Sequence, residues 1–407
     1  MKKINYILLI CLTLGACHHP EVEFTDFDTF KVYSVKSSFA FSEDGSLNPD
    51  IAMMEDPNID EPETKVATTQ FATIARDLLG VVHSNDLIHI AGIYKGHDTD
   101  GSPIELSGKL IIPAKGKIKN LILVSHYTIG ANFECPSETF PLEGLFAAKG
   151  YAVAIADYIG YGITSDRVHP YMHTESTARS VVDMGLAVIP YLEHLGRKPE
   201  SPEVYLVGYS QGGSTTLAVM NMLQKKHSED LPIKKVYAGG GPYDLAATFD
   251  VSMETGLTGI PCAIPMIVQG VNIGEGLGLD MKDFFKPRLL ENYNSWINSK
   301  KFTVKQINNK IDSRDLHDIM TDAGRDKTSK ETARLYKALL DNSVLCFRPL
   351  APIYLFHSRD DQTVPFVNAQ RAEEFFTNCD IHKDFGDYGI HSMGCVRFIF
   401  TVYKDLQ

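Results

Sequence analysis

No long run of basic residues occurs in this sequence, no stretch repeats, and past the first residues no apolar segment is long enough to cross a bilayer. Each absence excludes something. A chain of formal net charge −12 with no basic run has little with which to neutralise phosphates, which argues against nucleic acid or anionic lipid as its main partner. Without a further apolar run of about 20 residues, the body of the chain holds no spanning helix. Without a repeat it is no solenoid. Cysteine spacings do not match those of metal sites. What is present is ordinary globular composition: 407 residues, 44% hydrophobic and 22% charged. That suffices for one large α/β domain with insertions or for two modest domains.

The first residues carry an address. Met1-Lys2-Lys3 is a short positive stretch, Tyr6 to Leu14 is apolar, and Leu14-Gly15-Ala16-Cys17 follows. A small-residue pair after an apolar core reads as a signal-peptide cleavage site. With a cysteine directly after it, the stretch resembles the bacterial lipobox, which implies diacylation of Cys17 after removal of residues 1–16. The plainer alternative is a signal peptide followed by a cysteine by chance. The expectation is an exported lipoprotein of the cell envelope, its soluble body tethered by lipid to the outer membrane. Five cysteines then remain, Cys135, Cys262, Cys346, Cys379 and Cys395. The odd number leaves at least one thiol unpaired within the chain. Export permits disulfides, with Cys379 and Cys395 the pair to test. Burial as free thiols is the expected fate of most.

Residues 17–65 are rich in Asp, Glu, Pro, Ser and Asn with weak periodicity, and read as a tether and loosely packed arm. His18-His19 in such a stretch is no metal pair. From residue 66 the pattern changes. Thr69 to Leu79 could form a short helix. Leu87 to Tyr94 and Ile104 to Ile112 alternate apolar and polar residues around a turn-rich segment, as a hairpin does. Asn120 to Ser125, Ala152 to Ala156 and Val204 to Val207 are short apolar runs suited to buried parallel strands. Helical stretches separate them at Phe140 to Lys149, His173 to Leu195 and Gln211 to Lys226. Strands are expected again at Lys234 to Ala238, Ile353 to Phe356 and His382 to Phe385. Helices are expected at Val364 to Phe376 and Gly394 to Tyr403. This alternation predicts an α/β fold, a mostly parallel sheet flanked by helices.

Residues 246–347 interrupt it. They offer helix-like segments (Met281 to Asn298, Thr303 to Ile311, Lys330 to Leu340) and no convincing strand, so they read as a helical cap between core segments 66–245 and 348–407. The apolar run Ile260 to Ile273 could line a pocket, act as a lid or form the core of this cap. Gly274-Glu-Gly-Leu-Gly278 only superficially matches a dinucleotide fingerprint, because no strand precedes it.

The strongest chemical signal is Gly208-Tyr209-Ser210-Gln211-Gly212, a G-x-S-x-G turn between a buried strand and a helix. Its glycines permit a turn too sharp for side chains, which lifts Ser210 above the sheet as a nucleophile. A serine hydroxyl needs a base, and the base needs an orienting acid. Downstream, Ile353 to Phe356 runs into His357-Ser-Arg-Asp360-Asp361-Gln-Thr-Val-Pro365, and a last strand runs into Tyr388-Gly-Ile-His391. The first stretch resembles the H-G-x-x-D-x-x-V-P pattern of α/β-hydrolases, with Ser358 in place of Gly. It implies Asp361 as the acid, Asp360 being the alternative. The loop position of His391, before the final helix, is the one that fold uses for its base, and His382 is the less fitting alternative. One oxyanion donor should be the N–H of Gln211. The other falls in His126-Tyr127-Thr128-Ile129-Gly130, which resembles the H-G-T loop of many lipases with Tyr127 replacing Gly. The N–H of Thr128 is its matching donor, Tyr127 the second choice, and His126 reads as structural.

Ala156-Asp-Tyr-Ile-Gly-Tyr-Gly162, the helix from Tyr171 to Val188, Gly208 to Gly213 and Gly241-Pro-Tyr-Asp-Leu245 occur in that order. With the insertion after them, they make the chain similar to the secretory lipase family over residues 85–400. The resemblance implies hydrolysis of carboxylic esters of small molecules or lipids through an acyl-enzyme, with no metal or organic cofactor. Three other readings stay open: a serine peptidase, an esterase for carbohydrate-linked acyl groups, and a non-catalytic binding lipoprotein of the same fold.

Overall fold

The computed structural model describes residues 24–39, 51–52 and 86–406. The signal peptide, Cys17, the His18-His19 pair, most of the tether and the helix expected at Thr69 to Leu79 lie outside the described residues. Nine strands form one mixed sheet: β1 (Phe30–Phe39), β2 (Asp86–His97), β3 (Pro103–Pro113), β4 (Leu121–Ser125), β5 (Ala152–Ala156), β6 (Val204–Tyr209), β7 (Ile233–Gly239), β8 (Ile353–Ser358) and β9 (Ile381–Gly386). Their order is β1-β2-β3-β5-β4-β6-β7-β8-β9. The β2–β3 hairpin pairs Leu87 with Pro113 through to His97 with Pro103. β5 is antiparallel to β3, and every pairing from there to β9 is parallel.

The helices are α1 (Thr174–His194), α2 (Gln211–Lys226), α3 (Leu245–Thr255), α4 (Ala263–Gly274), α5 (Pro287–Tyr293), α6 (Val304–Ile311), α7 (Leu316–Ile319), α8 (Asp322–Arg325), α9 (Lys330–Asp341), α10 (Val367–Phe375) and α11 (His391–Asp405). Strand pleating decides which faces they cover. Alternate side chains point to opposite faces, so Leu121 and Leu123 of β4 join Val181 and Val188 of α1 and Leu217 of α2 on one side. Ile122 and Val124 join Phe398 and Phe400 of α11 and Phe146 on the other. A strand buried on both faces cannot alternate in polarity, hence the unbroken apolar run. The segment expected as a helix from Phe140 becomes a two-residue strand, Phe140–Pro141, and a 3-10 helix, Leu142–Lys149.

Between β7 and β8 the described residues form helices α3–α9 around a separate core that includes Phe284, Phe285, Ile307, Leu316 and Leu335. A single π turn, Asn294–Asn298, follows α5.

The span read as a loosely packed arm contains a strand. β1 adds antiparallel to β2, with a register shift between Val32 and Ser34. That irregularity breaks the alternation a sequence pattern would need, and the exposed Lys31 and Lys36 are the charges an edge strand carries. Phe30 anchors it. A Cβ on Gly92 would stand 2.4 Å from the Phe30 ring, and the ring centroid lies 5.1 Å from that of Tyr191 in α1. The glycine in β2 therefore makes the seat for the phenylalanine.

Cys379 and Cys395 do not pair, and all five described cysteines are free. Cys379 packs against the cluster on one sheet face, and Cys395 belongs to the cluster on the other. The sheet stands between them. Cys135, Cys262 and Cys395 are buried, Cys346 is exposed and Cys379 is half-buried.

Phe30→Ala is expected to cost about 3–5 kcal/mol, as truncation of a buried Phe does, read as a lowered urea midpoint. Glu143, on the 3-10 helix, generates a pH-dependent prediction. Burial raises its carboxyl from 4.5 to about 7. The folded chain therefore keeps a proton that the unfolded chain releases, and stability falls as pH rises through that window. Between pH 4 and pH 8 the wild type should lose roughly 3 kcal/mol that Glu143→Gln retains; urea titrations at the two pH values measure the difference.

Candidate active site

β6 ends at Tyr209, Ser210 turns the chain with φ 60° and ψ −127°, and α2 begins at Gln211. A non-glycine residue at positive φ is strained, and close packing holds it there. A Cβ on Gly208 would lie 2.2 Å from the Gly212 carbonyl oxygen, and one on Gly212 would lie 1.9 Å from the Ser125 carbonyl oxygen. No side chain fits at either position. The Ser210 N–H donates to the Gly239 carbonyl at 2.9 Å, and its own carbonyl accepts from the Gly213 N–H at 2.9 Å. The hydroxyl is left facing the space above the carboxyl ends of the strands.

His391, the first residue of α11, enters that space. Its Nε2 is 2.8 Å from Ser210 Oγ, and its Nδ1 is 2.5 Å from Asp361 Oδ2. The other carboxylate oxygen of Asp361 accepts the N–H groups of Thr363 and Val364 at 2.8 and 2.9 Å. The Asp361 side chain is fully buried. Burial pushes its carboxyl up, but the charge and hydrogen bond of His391, with His357 and the Val364 N–H, outweigh it and hold the group below its ordinary 3.8. An ionised Asp361 accepts from Nδ1–H, and Nε2 is the ring nitrogen turned to Ser210 Oγ.

The neighbouring Asp360 is exposed, as is His382, which stacks on Tyr354 at 5.4 Å. Neither meets Ser210. His357 lies behind the acid, its Nε2 3.0 Å from the Val364 carbonyl and 3.7 Å from Asp361 Oδ2. Tyr209 supports His391: its hydroxyl donates to the His391 carbonyl at 2.9 Å.

The loop after β4 runs beside Ser210 and is pinned along its length. The Tyr158 hydroxyl donates to the His126 carbonyl at 3.2 Å and the Tyr161 hydroxyl to that of Ile129 at 2.7 Å. Thr128 Oγ1 and the Tyr171 hydroxyl are 2.6 Å apart. Glu134 Oε2 accepts the N–H groups of Gly130 and Ala131 at 3.0 and 2.8 Å. Where the resembled loop has glycine, this one has Tyr127, and side chains from the 158–171 segment fix its course. Tyr158 itself has φ 67°, a strain its hydroxyl and its stacking on His126 at 3.9 Å offset. His126 donates from Nδ1 to the Tyr127 carbonyl at 2.6 Å, and burial pushes its imidazole down to about 4. It is neutral and committed to backbone.

The N–H of Gln211, at the first position of α2, is among those with no acceptor inside the helix. The Gln211 side chain donates from Nε2 to Nε2 of His169 at 3.1 Å. His169, Tyr158, Tyr161 and Tyr171 escaped assignment as site residues. Only Asp157-Tyr-Ile-Gly-Tyr-Gly162 offered a motif, and nothing local marks His169. Beside them lies a small cavity, about 20 Å³, with walls that include Gly130, His169, Tyr171, Met266 and Tyr293. That is room for about one water molecule. Met266 and Gln269 of α4 reach the cavity, and Ala263, Val268 and Val271 of the same helix pack in the core formed by helices α3–α9. Among the described residues no group of three or more His, Cys, Asp or Glu is placed to hold a metal ion, and no helix is long and apolar enough to cross a membrane.

A mostly parallel sheet flanked by helices, with a serine on the strand–helix turn at its centre, defines an α/β-hydrolase. The family model for secretory lipases matches residues 134–386. The chain belongs to the secretory lipase family and is a hydrolase of the serine esterase and lipase type. Among solved structures it is similar to a hydrolase from Legionella pneumophila (21% identity, TM-score 0.75, 92% of this chain and 98% of that one). It is also similar to the rice cell wall degrading esterase LipA from Xanthomonas oryzae (20%, 0.69, 95% and 97%). Candida antarctica lipase A in its closed state aligns over 78% of each chain at 16% identity and TM-score 0.56. At these identities the likeness is one of fold. No curated protein matches the chain.

Proposed function

We propose that this protein hydrolyses carboxylic esters through an acyl-enzyme on Ser210, with His391 as general base and acid and Asp361 as the acid that orients it. The observation that carries the reading is the continuous set of contacts from Asp361 Oδ2 through His391 to Ser210 Oγ, at 2.5 and 2.8 Å. As Ser210 Oγ attacks the ester carbonyl carbon, its proton passes to His391 Nε2 and negative charge gathers on the carbonyl oxygen. The N–H groups of Gln211 and of Thr128, or of Tyr127 in its place, are the assigned donors to that oxygen. Collapse of the tetrahedral adduct breaks the ester C–O bond, and the alcohol leaves with the proton from His391. Water, deprotonated by the same imidazole, then attacks the acyl-serine and releases the carboxylic acid.

The helical insertion at 246–347 roofs the acyl side of the site in this reading, over core segments 66–245 and 348–407. Signal-like residues 1–16 and the small pair before Cys17 support an exported enzyme held to the cell envelope by a lipid on Cys17. The family description, secretory lipase, fits export. A carbohydrate-linked ester substrate is the second reading. Its support is the likeness to the Xanthomonas esterase, which degrades the rice cell wall.

Ser210→Ala is expected to lower turnover of p-nitrophenyl esters, acetate to palmitate, by roughly a thousandfold or more. Asp361→Asn should lose about a hundredfold or more, because Nδ1 no longer meets an ionised acceptor, while Asp360→Asn stays within about twofold. Equal losses at the two aspartates would reject the assignment of the acid. Absence of turnover on every ester would move the peptidase reading forward, with aminoacyl amides as the next substrates.

A further inference from the structure

His169 is buried, lies well before the nucleophile in the chain and has no part in the proton transfers just described. Both its ring nitrogens are committed. Nδ1 is 2.7 Å from the Ile159 carbonyl, an acceptor only, so Nδ1 carries the hydrogen. Nε2 is 3.1 Å from the Gln211 side-chain nitrogen, a donor only, so Nε2 accepts. Burial pushes the imidazole down to about 3, in keeping with that neutral tautomer. The faces and edges of the ring are committed as well. Tyr158 lies parallel to it at 6.0 Å, Tyr161 is tilted at 5.1 Å, and Tyr171 stands edge-on at 5.8 Å.

These are the three tyrosines whose hydroxyls hold the loop after β4, at His126, Ile129 and Thr128 respectively. One imidazole thus touches the side chain that follows the nucleophile and all three supports of the facing loop. The segment carrying it is itself fitted to the site: a Cβ on Gly160 would stand 2.6 Å from Cα of His169. We infer that His169 is a positioning residue that sets the two halves of the oxyanion hole, Gln211 at the start of α2 and the loop 126–131, at a fixed separation. Such a hole works only when its donors are aimed at the place where the oxyanion will form, before it forms. His169 acts through Gln211 and the tyrosines and touches neither substrate nor the reacting proton. The inference rests on the reading of Ser210 as the nucleophile.

The test uses the full chain with p-nitrophenyl acetate and with butaneboronic acid. The boronic acid takes Ser210 Oγ into a tetrahedral adduct, with an oxygen where the oxyanion would be. His169→Phe keeps an aromatic ring among the tyrosines and removes the acceptor. Gln211→Met keeps the side-chain length and removes the donor. Each is expected to lower kcat about tenfold to a hundredfold, part of the worth of an oxyanion donor, with KM within about twofold. Boronate affinity should fall by the same factor. The double variant should be no worse than the worse single one, since both remove one interaction. A purely structural role predicts a lower melting temperature with kcat and boronate affinity unchanged, and that result overturns the proposal. So do losses that multiply in the double variant. Should His169→Phe not fold, Gln211→Met alone decides by the same kcat and boronate readouts. Labelling of Ser210 by a fluorophosphonate, absent in Ser210→Ala, is measured alongside. If Ser210 is labelled and His169→Phe behaves as wild type, the positioning role alone fails. If Ser210→Ala still turns over ester, the nucleophile reading fails.

Discussion

Gly212 approaches the end of β4 so closely that a methyl group in place of its hydrogen would stand 1.9 Å from the Ser125 carbonyl oxygen. Everything at the site depends on that approach. It brings the first turn of α2 against the end of β4, so that Ser210, the start of α2 and the loop after β4 lie side by side. The same constraint forces Ser210 into positive φ and puts a glycine at 208, where a Cβ would meet the Gly212 carbonyl at 2.2 Å. The cost is backbone strain, of order 1–3 kcal/mol for such a residue. The parallel strands on either side, β4 and β7, hold the turn in place.

Around this turn, burial decides charge. His126 and His169 are driven to about 4 and 3 because a protonated ring could not be solvated there. His169 is fixed in one tautomer by the Ile159 carbonyl and the Gln211 amide, and both ring nitrogens of His126 face backbone carbonyls. Asp361 is the contrasting case. It is just as dry, yet two N–H groups and His391 keep it ionised. The imidazole of His391 beside Ser210 therefore has a fixed negative partner, and His126 and His169 have none.

The helical insertion packs against this arrangement at several places, among them Gly259 on the turn after Asp361 and Gly270 on Tyr171. A Cβ on Gly130 would lie 2.5 Å from the Phe302 carbonyl oxygen, and the Asn132 N–H donates to the Lys300 carbonyl at 2.9 Å. Lys300 is buried with φ 51°, and its ammonium binds the Ser165 and Arg167 carbonyls. The segment over the cavity is thus fastened both to the loop after β4 and to the loop that carries His169.

The sequence by itself determined most of the alternation of strands and helices, and it offered Ser210, Asp361 and His391 as candidates for nucleophile, acid and base. These are local signals: apolar runs of strand length, a glycine-flanked serine, and polar residues just past strand ends. Phe30–Phe39 stayed hidden because a register shift spoils its alternation, and its anchor seat is a glycine in another strand. The pairing of Cys379 with Cys395 could not be judged from spacing, since only the fold puts a sheet between them. Asp361 and Asp360 differ by one position, and only the turn that buries one and exposes the other separates them. His169 left no trace at all. Its neighbours come from residues 158–161, 171 and 211, and contacts between separate segments have no periodicity to read. Local pattern fixed what each segment becomes; packing between segments decided which side chains meet.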